Sequence, residues 1–133
     1  MTVELEKGMR GQAAIQVSDD KTALAYGSGG VDVFATPAMV ALMEEASLKA
    51  VEASLPEGWG TVGIRLDVRH MAATPKGFRV YAESRLVEIK GKRLVFEVSA
   101  FDETERIGDG IHERFIIEKE PFVRKVEEKK NRE

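Results

Sequence analysis

At 133 residues the chain has the length of one ordinary domain, enough to bury a core without metals or disulfides. Hydrophobic residues make up 43% and charged residues 32%, and 20 basic residues against 23 acidic ones leave a net charge of −3. That balance excludes the basic surface that wholesale nucleic-acid binding needs, and the absence of cysteine excludes disulfides, thiolate metal sites and thiol nucleophiles.

One domain is expected over residues 1–133, with a charged, solvated tail from about Lys125 to Glu133. The start, Met1 to Gly11, is charged and lacks the apolar centre of a signal peptide. No apolar run approaches the length of a membrane span, so no membrane partner is expected and the expected location is cytoplasmic.

In chain order, Gly11 to Tyr26 reads as one or two short strands broken at Ser18-Asp19-Asp20. Gly27-Ser28-Gly29-Gly30 follows as a loop and Val31 to Ala35 as a short extended stretch. A long helix is predicted from Thr36 to about Ser54. Thr36 would be its N-cap and Pro37 its first residue, where a missing N–H costs nothing, and Pro56-Glu57-Gly58 would stop it. Met39, Met43, Ala46 and Ala50 form an apolar stripe on this helix, with Glu45, Lys49 and Glu52 opposite.

The remainder alternates as strands do. Val62, Ile64, Leu66 and Val68 share one face; Phe78, Val80, Ala82 and Leu86 share another; Leu94, Phe96, Val98 and Ala100 a third. A last strand runs from about Arg106 to Lys119, and Lys90-Gly91-Lys92 and Asp102 to Glu105 read as hairpin turns. One long helix beside an antiparallel sheet of about five strands is an α+β domain. A helix this apolar can be wrapped by the sheet, as in the hot-dog fold, and other α+β rolls fit the same pattern.

Few residues are candidates for chemistry. His70 is in phase with the apolar face of its strand; it is either a hydrogen-bonded core histidine or a base in a cleft. Glu44 lies at the margin of the helix's apolar face, where a carboxylate either reaches solvent or meets a partner. Thr36 has a structural role as a cap, but the same helix end presents free N–H groups able to bind a carbonyl or oxyanion. His112 and Arg114 are out of phase with Ile111, Phe115 and Ile117 and so are expected to face solvent or a partner subunit. No phosphate-binding glycine motif, zinc-protease motif or serine elbow occurs.

Four segments together are more specific. Val33-Phe34-Ala35-Thr36, Met39 to Glu44, His70 to Gly77, and Ile107-Gly108-Asp109-Gly110-Ile111-His112-Glu113-Arg114 resemble the fluoroacetyl-CoA thioesterase type of hot-dog protein, from about Gly8 to Lys125. The resemblance implies a catalytic set of Thr36, Glu44 and His70, with Gly63 and Arg114 near the substrate. It also implies a homodimer with sites near the subunit interface and no metal or cofactor, coenzyme A entering only as part of the substrate. The loop Gly27 to Gly30 departs from it in carrying no aromatic residue, so thioesterase activity on a small acyl-CoA is carried over and the fluorinated substrate is not. Two other readings stand beside this one: a non-catalytic acyl-CoA or small-ligand binding protein on the same fold, and a hot-dog dehydratase or hydratase, against which stands the lack of any histidine between Met1 and Arg69.

Overall fold

The computed structural model describes residues 4–131. Its elements are β1 (Arg10–Gln16), α1 (Ala23–Tyr26), α2 (Thr36–Val51), β2 (Trp59–His70), β3 (Arg79–Lys90), β4 (Arg93–Phe101), β5 (Arg106–Glu118) and α3 (Lys119–Glu127). The strands form one antiparallel sheet in the order β1-β3-β4-β5-β2, curled around α2 as in the hot-dog fold.

The core follows from the alternation. Val80, Ala82 and Leu86 of β3 and Leu94, Phe96, Val98 and Ala100 of β4 are buried against Met39, Leu42, Met43 and Ala46 of α2. Glu45 and Lys49 lie on the helix's exposed side, paired at 2.9 Å. The two-residue β3–β4 turn has Gly91 in the left-handed region (φ 62°), as a tight hairpin requires. The β4–β5 turn is held by Asp102, whose Oδ1 accepts from Thr104 N at 2.8 Å and Glu105 N at 3.0 Å.

β1 approaches α2 closely because the contact is made of small residues. A Cβ at Gly11 would lie 2.0 Å from the Ala46 carbonyl oxygen and 2.5 Å from the Ala50 nitrogen, both backbone atoms that cannot step aside. Gly11→Ala is therefore expected to destabilise the fold by about 2 kcal/mol or more, the scale of overpacking. Urea unfolding with a midpoint equal to that of the parent would refute this close packing.

The structure corrects four expectations. The second half of Gly11 to Tyr26 is not a strand but a 3-10 turn (Asp19–Lys21) and α1. The Thr22 hydroxyl accepts from Ala25 N and caps α1, and Gly27 closes it in the left-handed conformation. The four later strands are not a simple meander, since β2 pairs with β5 at the sheet edge and not with β3. Between β2 and β3 the chain crosses to the start of α2, where Phe34 N donates to the Thr74 carbonyl and Val33 bridges Pro75.

The supposed tail is helical over Lys119–Glu127 and Glu128–Asn131, with Arg124 paired to Glu120 one turn away; its last two residues lie outside the described range. Finally, β2 does not keep one apolar face. A bulge between Gly63 and Arg65 makes Ile64 an extra, exposed residue and shifts the phase, so that Thr61 and Gly63 before it and Leu66, Val68 and His70 after it face inward.

Candidate active site

Helix α2 begins with Thr36-Pro37, and the preceding Ala35 is its N-cap residue, with no side-chain cap. The Thr36 hydroxyl does not cap the helix as expected. It meets His70 instead, with Oγ1 2.7 Å from Nδ1. β2 carries His70 to its last position, in register with Gly108 of β5, and the edge of its ring meets Phe34 at a centroid separation of 6.4 Å. Burial lowers the His70 pKa below its ordinary value, with the Ala72 backbone pulling weakly the other way. The ring is thus held in its neutral form, able to accept the threonine proton at Nδ1. Its Nε2 is buried and has no hydrogen-bond partner among the described residues.

This pair lies in a cleft of about 340 Å³ lined by Ala23, Val31, Val33, Phe34, Met71 and Ala72, among others. The first turn of α2 adds unpaired N–H groups and the positive end of the helix dipole beside Thr36. A hydroxyl, an imidazole and a helix N-terminus therefore meet at one point. Another cavity, about 390 Å³ and lined by Arg10, Gln12, Glu83, Arg85, Glu97 and Ser99, holds none of these residues. Among the described residues, no group of three or more His, Asp or Glu is placed to hold a metal ion.

Glu44 does not join this pair within the chain. It lies two turns along α2 from Thr36, about 12 Å by helix geometry. Its side chain, 39% exposed, sits 3.8 Å from Arg114 Nη1 of β5. Gly63 lies directly beneath it, where a Cβ would come within 2.8 Å of Glu44 Oε2. Glu44, Gly63 and Arg114 thus form a second cluster. Gly63 and His70 stand at opposite ends of most of β2, about 20 Å apart at strand spacing.

His112 and Arg114 were expected to face solvent or a partner subunit; they are buried within the chain, at 0% and 7% exposure. The apolar residues Ile111, Phe115 and Ile117 lie on the outer face of β5, so comparison with them gave the wrong side. The inward residues are Gly108, Gly110, His112, Arg114 and Ile116, and Phe115 is the exposed one. The two glycines at Gly108 and Gly110 were the available signal, since Met39 of α2 and the backbone of β2 press against them.

Arg114 is held from several sides: Nε donates to Thr61 Oγ1 at 2.8 Å, Nη2 to the Thr61 carbonyl at 2.9 Å, and Nη1 to His112 Nε2 at 3.1 Å. For His112 to accept there, its Nδ1 must carry the proton, which it donates to the Arg65 carbonyl at 2.9 Å. Burial lowers the His112 pKa, in keeping with that neutral tautomer.

Comparison with known proteins shows the family of the chain. The family profile described as fluoroacetyl-CoA-specific thioesterase matches residues 17–120. The fluoroacetyl-CoA thioesterase of Streptantibioticus cattleyicolor is 44% identical over 98 residues, which cover 74% of this chain and 70% of that protein. A solved structure of a fluoroacetyl-CoA thioesterase superposes with a TM-score of 0.88 at 37% identity, covering 95% of this chain and 98% of that one. Related structures of that enzyme hold fluoroacetate or acetyl-CoA. A thioesterase-superfamily protein from Thermus thermophilus superposes at 0.87 with 28% identity, covering 98% of each chain. With a family match over most of its length, the same fold and a threonine–histidine pair in a cleft at the helix start, the chain belongs to the fluoroacetyl-CoA-specific thioesterase family.

Proposed function

We propose that this acyl-CoA thioesterase hydrolyses a small acyl-CoA through Thr36 and His70, completed by Glu44 of the partner subunit in a homodimer. The observation that carries the reading is the 2.7 Å contact between Thr36 Oγ1 and His70 Nδ1 at the start of α2. Thr36 Oγ attacks the thioester carbonyl carbon while its proton passes to His70 Nδ1. The negative charge on the carbonyl oxygen is met by the first-turn N–H groups of α2. Collapse breaks the C–S bond, and the coenzyme A sulfur leaves with the proton from His70. Water then attacks the acyl-threonine ester, giving its proton to His70, and Thr36 departs with that proton as the carboxylic acid forms. The steps need only these residues and water, with no metal or cofactor.

The dimer is supported by what β2 leaves open. It is a 12-residue edge strand, and an unpaired edge of that length is a template for pairing. Ile64, Leu66 and, on neighbouring β5, Phe115 are exposed apolar residues along it. Antiparallel pairing of two β2 edges about a two-fold axis turns the strands head to tail. The His70 end of one copy then runs back along the Gly63 half of the other, where Glu44 sits. A carboxylate arriving there would satisfy the buried, unpartnered His70 Nε2 and orient the ring, as the third member of such a set does. Residues 1–133 then act as one catalytic domain per subunit, in the cytoplasm.

The test is thiol release from purified protein offered an acyl-CoA panel, with light scattering to give the mass. No release from any acyl-CoA would refute the catalytic reading in favour of a binding protein, and a monomer at micromolar concentration would refute the shared site. The acid side of the pH profile is a further check. His70 acts as base only when unprotonated. Burial lowers its pKa, and the carboxylate of the partner's Glu44 on Nε2 would raise it. Activity is therefore expected to be lost as pH falls, and Glu44→Gln is expected to move that acid midpoint to lower pH. An acid midpoint unmoved in Glu44→Gln would contradict the contact between that carboxylate and the ring.

A further inference from the structure

We infer that the acyl group this enzyme takes is apolar and longer than acetyl, with a chain of about four to six carbons lying over Val31 and Met71. This rests on the thioesterase reading above and concerns the part of the cleft beyond the reacting atoms.

Most of the side chains that wall the cleft are apolar. Ala23, Val33, Phe34 and Ala72 line it, and its polar side chains are Thr36 and His70 themselves and Ser28. No lysine or arginine is among the lining residues. A carboxylate at the far end of an acyl group would therefore lose its water without gaining a partner, which is costly.

The rim is apolar too, and within one chain it is uncovered. Val31 is 61% exposed and Met71 44%, although both face the cleft that holds Thr36 and His70. An acetyl group carries one methyl beyond its carbonyl, and a longer chain has more apolar surface to lay against Val31 and Met71.

The loop on that side leaves the space free. A Cβ built at Gly27 or Gly30 would meet nothing within 4 Å, and Gly29 is close only to Ala23, at 3.2 Å. No side chain of Gly27 to Gly30 larger than that of Ser28 fills the mouth. The cleft volume, about 340 Å³, falls within the range of small-molecule sites.

The experiment is a chain-length series on the intact protein: acetyl-, butyryl- and hexanoyl-CoA, together with glutaryl-CoA as a charged counterpart of similar length. Each methylene that becomes buried is worth about fourfold in kcat/KM, so hexanoyl-CoA, with four more of them, is expected to exceed acetyl-CoA by about 250-fold. Glutaryl-CoA is expected to fall below hexanoyl-CoA by at least about a hundredfold. Val31→Ser and Met71→Ser are each expected to lower the hexanoyl-to-acetyl ratio, which removal of a wall contact does and a loss of folded protein does not. A flat or falling series with active acetyl-CoA would overturn the acyl assignment and leave the thioesterase reading intact; it would mean that this wall meets the pantetheine arm, which every substrate shares. A ratio unmoved in both serine variants would overturn the placement on Val31 and Met71. Absence of thiol release from every substrate would instead strike the catalytic reading itself.

Discussion

His70→Ala is expected to lower kcat by at least about a hundredfold while leaving the fold unchanged, the scale of a lost general base. The size follows from what the ring does. Its Nδ1 is the sole side-chain acceptor within reach of the Thr36 hydroxyl among the described residues, at 2.7 Å. Without it the hydroxyl keeps its proton through the attack, and the departing sulfur has no proton donor. The fold should survive because β2 remains paired with β5 through its backbone, and Met71 N still reaches the Ile107 carbonyl. Thr36→Ala should cost a similar factor, and the double variant little more than either alone, since the two groups act as one unit. Glu45→Ala serves as the control: that residue is exposed and pairs only with Lys49, so turnover should change less than about twofold, as for a surface ion pair. Full activity in His70→Ala would remove the pair from the mechanism, whatever its geometry.

The parts of this site that could be read from the sequence are those fixed by local rules. Pro37 marks the start of α2, and His70 lies in phase with Leu66 and Val68, so a threonine at a helix start and an inward histidine at a strand end were both visible. What they do with each other was not. A threonine before proline reads as a cap, but here Ala35 takes that position and the hydroxyl turns to a ring 34 residues away.

Phase also failed where strands depart from strict alternation. The bulge at Gly63 inverts the first half of β2, and in β5 the apolar Ile111, Phe115 and Ile117 lie on the outer side, opposite His112 and Arg114. Both depend on pairing partners far along the chain. The order β1-β3-β4-β5-β2, which leaves β2 at an open edge, is likewise a property of the whole sheet and not of any segment.

Glu44 lies away from the Thr36–His70 pair within its chain, and it supports the most decisive expectation. Glu44→Ala and His70→Ala homodimers should each be nearly inactive. Mixed, unfolded and refolded together in equal amounts, they should regain about a quarter of wild-type activity if each site takes its residues from both subunits. The arithmetic is that of random pairing: half of the dimers carry one chain of each kind. In such a dimer the two lesions fall in the same site, where the altered His70 faces the altered Glu44 of the partner subunit. The other site joins an intact His70 to an intact Glu44. If instead Glu44 served the Thr36–His70 pair of its own chain, every site would carry one lesion and mixing would restore nothing. The within-chain geometry argues for the first outcome, because Glu44 lies against Gly63 and Arg114, most of a strand's length from His70. Recovery near zero, with heterodimers confirmed by mass, would place the catalytic set within one subunit and require Glu44 to reach His70 by a movement of α2.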